Sequence, residues 1–253
     1  MNIDLNCDMG ESFGAYAMGY DEAIMPHVTS ANIACGFHAG DPQVMGKTVH
    51  LALTHGVALG AHPGLPDLMG FGRRKMDVTP SEMRDYVRYQ IGALREYARA
   101  AGKTLQHLKP HGVLYHMMNM EDELAKAMAE MAIESDLILI AHSSSRYEQI
   151  AKSQGVRVAT EACADRGYNP DGTLVSRKAK GALITDPATA AKQAVRMVLE
   201  GKVRAIDGSD FSVSVQSVAC HADTEGADKI AAAVRSALEQ AGCVVKPLGE
   251  WFR

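Results

Sequence analysis

The chain has 253 residues, 47% hydrophobic and 22% charged, with a formal net charge of -4, a composition expected of a globular protein folded as a single domain over residues 1–253. Its 26 Lys and Arg are scattered rather than clustered, which argues against the basic footprint of a nucleic-acid-binding surface. No run approaches the ~18 apolar residues of a membrane span, and Met1-Asn2-Ile3-Asp4 has no leader pattern, so a cytoplasmic location and no membrane partner are expected.

In chain order, seven short apolar or β-branched runs read as strands: Ile3–Asn6, Ser30–Cys35, Val57–Ala61, Leu105–Lys109, Leu137–Ala141, Val156–Thr160 and Val213–Ala219. Between them, Asp41-Pro42, Thr79-Pro80 and Asp186-Pro187 each place a capping oxygen before a proline at a first helical position. Glu82 completes a capping box with Thr79, and Met83, Val87, Ile91, Leu94 and Ala98 then recur every three or four residues until Gly102. Thr224 is the expected cap of a last helix with Ile230, Val234 and Leu238 on one face, and further helices are expected over 121–134, 145–154 and 187–200. The interval from Pro63 to Pro80, with Gly64, Gly70, Phe71, Gly72, Arg73 and Arg74, reads as a functional loop.

Strand–helix alternation without a composition break predicts a parallel α/β sheet with helical crossovers. A closed barrel is preferred over an open sheet because almost every strand ends in a reactive side chain, whereas an open sheet concentrates them at one switch point. The ends read Asn6-Cys7-Asp8, Cys35-Gly36-Phe37-His38, Ala61-His62-Pro63, Lys109-Pro110-His111, His142, Glu161 with Asp165-Arg166, and His221. A lone histidine after an apolar run is usually structural. Five of them on one rim point to an active site, because imidazoles that exchange protons or bind metals must meet in a pocket.

Asp8 is a candidate base or histidine orienter, and Glu11 is either a pocket carboxylate or a loop cap. Lys109 is a candidate for polarising a carbonyl, or else pairs with a neighbouring carboxylate; His111 follows it across a proline. Arg73 with Arg74, Asp165-Arg166 and Arg177 are candidates for holding a substrate carboxylate, against solvated charges or internal ion pairs. Gly46-Lys47-Thr48 imitates the end of a phosphate-binding loop, but Gly40 is one residue too far upstream and Asp41-Pro42 opens a helix there. No ATP cradle is recognisable. Five cysteines, Cys7, Cys35, Cys163, Cys220 and Cys243, without a CxxC pair, predict neither a disulfide framework nor a zinc ribbon. Four of them lie near strand ends, where small buried packing is the expected role.

The blocks Asp4-Leu5-Asn6-Cys7-Asp8-Met9-Gly10-Glu11, Ser30 to Pro42, Gly60-Ala61-His62-Pro63-Gly64, Gly70-Phe71-Gly72-Arg73-Arg74, Lys109-Pro110-His111-Gly112 and Ala164-Asp165-Arg166 resemble the LamB/YcsF family, the A subunits of prokaryotic ATP-dependent 5-oxoprolinases. The resemblance runs from Ile3 to about His221; Leu65, Cys163 and Ala222 depart from its pattern without removing a candidate polar group. It implies a seven-stranded barrel of the glycoside hydrolase/deacetylase kind and ATP-coupled opening of the 5-oxo-L-proline lactam to L-glutamate. It also implies partner subunits B and C, with ATP bound with or by them. On that reading Asp8, His38 and His62 do the base and water-orienting work, His111 or Lys109 serves as acid or carbonyl stabiliser, and Arg73 or Arg166 holds the carboxylate, with Glu11, Glu161 and Asp165 completing the substrate pocket.

Two other readings stay open. One is a metal-dependent amidase or deacetylase in which Asp8, His38 and His62 bind a divalent cation. The other is a non-catalytic binding subunit of a nucleotide-hydrolysing complex.

Overall fold

A computed structural model describes residues 1–253. In chain order the elements are β1 (Asn2–Met9), α1 (Asp21–Ile24), β2 (Ser30–Ala34), α2 (Pro42–Thr54), β3 (Ala58–His62), α3 (Pro80–Ala100), β4 (Leu105–Leu108), α4 (Val113–Met120), α5 (Asp122–Glu134), β5 (Ile138–His142), α6 (Arg146–Ser153), β6 (Val158–Cys163), α7 (Pro187–Leu199), β7 (Lys202–Arg204), β8 (Asp210–Ser212), β9 (Ser217–Cys220), α8 (Ala227–Gln240) and β10 (Val244–Val245). Strands β1 to β6 and β9 pair in parallel in that order, and β9 pairs back onto β1, closing a seven-stranded barrel. At this seam Cys7 lies opposite Cys220. Strand β10 extends β1 at its start, and β7 and β8 form a separate antiparallel hairpin.

The helix starts follow their capping chemistry. Asp41 accepts from the backbone N–H groups of Gln43 and Val44, Asp186 from Thr189, and Ser145 from Glu148. Thr79 and Glu82 form the reciprocal capping box at α3, satisfying donors that a helix end otherwise leaves unpaired. The helices lay their apolar stripes on the outside of the barrel, and Ile3, Leu5, Cys7 and Met9 of β1 point outward into that layer, which belongs to a core of 57 buried residues. Alternation then sends Asp4, Asn6 and Asp8 inward. Ile138, Ile140, Ala159 and Leu248 form a small apolar cluster of their own, against which Trp251 and Phe252 pack.

Two local expectations are corrected, and one helix went unannounced. Val213 to Gln216 are not strand; β9 begins at Ser217, and Val213 and Val215 pack beside Phe211 and Tyr168 at the β7–β8 hairpin. Thr224 does not cap α8, which starts at Ala227 behind Gly226 with no side-chain cap. Val113–Met120 is a helix that sequence punctuation does not announce, because its N-cap is Gly112, at φ +56, with no capping oxygen.

Candidate active site

The barrel interior is polar along its axis. At the bottom, Asp4 accepts hydroxyl hydrogen bonds from Thr29 at 2.8 Å, Ser30 at 2.6 Å and Ser217. Burial nonetheless pushes its carboxyl up to about 6. One level up, Asn6 Nδ2 donates to Ser217 Oγ at 2.7 Å and Glu161 Oε2 at 3.3 Å. Asn32 Nδ2 donates to Asn6 Oδ1 at 2.7 Å and Asp8 Oδ1 at 2.8 Å, and His107 Nε2 meets Asn32 Oδ1 at 2.7 Å. A Cβ on Gly60 would overlap the His107 ring, so glycine is what lets that imidazole cross the barrel.

Above this column Lys109 Nζ donates to Asn6 Oδ1 at 3.1 Å, Asp8 Oδ1 at 2.9 Å and Glu161 Oε2 at 3.2 Å. Its three hydrogens are thereby matched to three oxygens. Burial works against the ammonium, but Asp8 and Glu161 more than offset this and hold it above its usual value. Burial likewise works to raise the Asp8 carboxyl, while the Lys109 ammonium on its Oδ1 helps hold it well below the carboxylate range. Asp8 is a fixed anion at the rim.

Beside it, three imidazoles pack against one another. His38 stacks on His111 with centroids 3.7 Å apart and planes 2° apart, and His62 stands edge-on to both. Burial pushes His38 and His111 down to about 3 and His62 well below its ordinary value, so the group is uncharged at neutral pH. His62 Nδ1 donates to the Lys109 carbonyl at 2.7 Å, and His111 Nε2 donates to the Phe71 carbonyl at 2.9 Å. Phe71 reaches that position in a left-handed conformation (φ +54), its ring edge-on to His38 and His111 and beneath the Arg73 guanidinium. Space for the stack comes from two glycines. A Cβ on Gly64 would lie 2.5 Å from His38 Nδ1, and one on Gly72 would lie 2.7 Å from His38 Cβ and 2.8 Å from His111 Cδ2. Glu11 closes the cluster, with Oε1 3.6 Å from both His38 Nε2 and His111 Nδ1. Burial, against the pull of His111, raises its carboxyl to about 7.

Asp8, His62, Lys109, His111 and Glu161 face a cavity of about 610 Å³, whose wall continues through Tyr115, His142 and His221 to Arg73, Arg166 and Arg177. The volume suits a small metabolite rather than a polymer. Of the residues singled out in the sequence, Asp8, Glu11, His38, His62, Lys109 and His111 thus come together at one end of the barrel. Glu161, Arg73, Arg166 and Arg177 line the same cavity, and Asp165 and Arg74 do not. Asp165 is absent from the cavity wall: its oxygens accept from the backbone N–H of His221 at 2.8 Å and from its Nδ1 at 2.9 Å, raising that imidazole's proton affinity even though burial works to lower it. Arg166 is buried, with Nε on the Ala182 carbonyl and Nη2 on that of Val175, so it braces the loop between β6 and α7. Arg74 is tied to Asp67. Arg73 and Arg177 reach the cavity and share Asp223, at 3.6 and 2.7 Å. The three donors of Lys109 are engaged by Asn6, Asp8 and Glu161, the carboxylate pairing that the sequence left as one of its two readings.

Sequence reasoning missed His107, Asn32 and Tyr115. Tyr115 Oη lies 3.0 Å from the Ile140 carbonyl and 3.1 Å from Glu161 Oε1, and fixes the latter from above. Phe71 was marked only as part of the functional loop, because its contribution is a backbone carbonyl.

Comparison with known proteins agrees with this architecture. Residues 3–253 match the LamB/YcsF family. The A subunit of the Pyrococcus horikoshii 5-oxoprolinase is 50% identical over 255 residues, covering all of both chains. A crystal structure of a lactam utilization protein from Thermus thermophilus is 48% identical and superposes with a TM-score of 0.90 over 97% of this chain and 99% of that one. A family 4 carbohydrate esterase from Streptomyces lividans, at 10% identity and a TM-score of 0.51 over 100% of this chain and 95% of that one, shares the barrel fold.

Proposed function

This chain belongs to the LamB/YcsF family, and from that premise we propose that it is the lactam-opening subunit of an ATP-dependent 5-oxoprolinase, converting 5-oxo-L-proline to L-glutamate together with partner subunits B and C. The observation that carries the reading is a fixed carboxylate, Asp8, 3.5 Å from His62 Nε2 at the mouth of a metabolite-sized cavity, in a chain half identical along its whole length to the A subunit of a 5-oxoprolinase.

A five-membered lactam is an unreactive amide. Phosphorylation of its oxygen by ATP creates a leaving group and leaves the ring carbon electrophilic, and because no phosphate-binding loop is found in this sequence, that step is assigned to the partner subunits. Asp8 accepts a proton from the attacking water, whose position is fixed by the imidazoles beside it. The C–N bond breaks as the ring nitrogen takes up a proton, leaving an acyl phosphate, and a second water hydrolyses that to free phosphate and the second carboxylate of the amino-acid product. Arg73 and Arg177 lie on the cavity wall, where they match the substrate carboxylate.

The test mixes this chain with candidate B and C subunits and follows glutamate release from 5-oxoproline with ATP and without. ATP-dependent release that falls by about 10²-fold or more in Asp8→Ala and His62→Ala supports the reading, general-base loss being worth that much. Undiminished turnover in both variants removes the assigned roles, and no release with any partner set removes the reaction.

A further inference from the structure

The hydrogen bonds of the imidazole cluster leave a set of lone pairs facing one another. A carbonyl oxygen only accepts, so His62 Nδ1 and His111 Nε2, each on a backbone carbonyl, must both carry the hydrogen. In the neutral rings His62 Nε2 and His111 Nδ1 are therefore both lone pairs, yet they lie 3.0 Å apart. Two neutral rings with these tautomers place no hydrogen between them. Glu11 Oε1 adds a third donor of electrons 3.6 Å from His111 Nδ1, and His38 Nε2 a fourth, 3.6 Å from the same oxygen. His38 has no exposed surface and neither of its ring nitrogens has a hydrogen-bond partner, which buried polar atoms rarely tolerate.

One ligand atom from each of Glu11, His38, His62 and His111 lies within 4.8 Å of all the others. Ligand atoms 2.0–2.2 Å from a tetrahedral zinc ion are separated by roughly 3.3–3.5 Å, which the spacings of 3.0 and 3.6 Å bracket. The two carbonyl-bound ring N–H groups supply the outer support typical of metal-ligating histidines, fixing tautomer and ring orientation. Asp8 borders the set without belonging to it: its Oδ1 is held by Asn32 and Lys109, and its Oδ2 lies 3.5 Å from His62 Nε2.

We propose that Glu11, His38, His62 and His111 form a binding site for one divalent transition-metal ion of the zinc class. Three imidazoles and one carboxylate suit zinc or cobalt(II) better than the all-oxygen preferences of calcium or magnesium. The site needs nothing of the lactam chemistry in order to bind, and Asp8 beside it keeps its place as the proton acceptor.

The full chain, stripped with chelator and dialysed, is titrated with cobalt(II) by visible absorption and with zinc by calorimetric competition. The expected result is one equivalent per chain and cobalt d–d bands of four- or five-coordinate type. Affinity should fall by at least the ~100-fold that loss of an outer-shell partner can cost in His38→Ala and Glu11→Gln. Asp8→Asn should retain the stoichiometry. Absence of saturable one-to-one binding overturns the proposal, as does binding that both ligand variants leave unchanged, the sign of surface histidines. Should a ligand variant fail to fold, the stoichiometry and spectrum of the parent chain still decide. Metal binding without glutamate formation leaves the site standing and removes only the lactam reading.

Discussion

Lys109→Met removes the one cation between Asp8 and Glu161 while keeping an apolar stem of similar length. At an effective dielectric of ~20, the contacts at 2.9 and 3.2 Å amount to a gross attraction of about 5–6 kcal/mol each. Most of that is offset by desolvation, and the net loss on stranding a buried partner is ~3–5 kcal/mol. At ~2–4 °C per kcal/mol for a chain of this size, the melting temperature should fall by roughly 10 °C. Circular dichroism melts at pH 7 measure this directly. Glu161→Gln in the same background removes one stranded anion and should recover part of the loss, as a coupling of about 1–3 kcal/mol in the double-mutant cycle. Without the ammonium the Asp8 carboxyl is no longer held so low, so the acid limb of the activity profile should move to higher pH. A Lys109→Met chain melting within ~2 °C of the parent, against the slope above, with an unmoved acid limb, would refute the assignment of Lys109 as the clamp on Asp8.

Asp4 and Gly64 give independent checks. The folded-state carboxyl of Asp4 is raised by burial from 3.8 to about 6, so its contribution to stability is complete below the lower value and lost as pH rises through the upper one. Urea unfolding of Asp4→Asn at several pH values should show the variant gaining about 3 kcal/mol on the parent across that window, and parallel curves would deny the burial penalty. Gly64→Ala drives a methyl into His38; a shift of about 1 Å in a positioned group is worth ~10²-fold in rate, so activity should drop steeply while the far-ultraviolet spectrum stays native. Full activity would mean that His38 has room to move.

The rim was legible because barrel closure carries strand ends to one face, and Asp8, His62 and His111 each sit just where a β-prone run stops. Helix starts were legible for a related reason: a capping oxygen before proline at Asp41, Thr79 and Asp186 is chemistry confined to a few neighbouring residues. The interior column was not. Ser30, Asn32 and His107 look like the solvent-facing half of alternating strands, and only closure of the sheet turns that face inward. Arg166 and Asp165 kept their expected neighbourhood, but their hydrogen bonds to the Ala182 and Val175 carbonyls and to His221 were not legible, since sequence cannot tell whether a charged group faces a ligand or a loop carbonyl. Helix α4 escaped because Pro110 and Gly112 mark a break and nothing near Val113 offers a cap.

The seam between β1 and β9 is where the chain's beginning and end meet, and Cys7 and Cys220 lie opposite each other across it. Both thiols are free and buried, and burial raises each well above ordinary thiol acidity constants, so alkylating reagents cannot reach or ionise them while the ring is shut. Their labelling rate therefore acts as a gauge of ring rupture: it counts the moments when the first and last staves part, without any engineered probe.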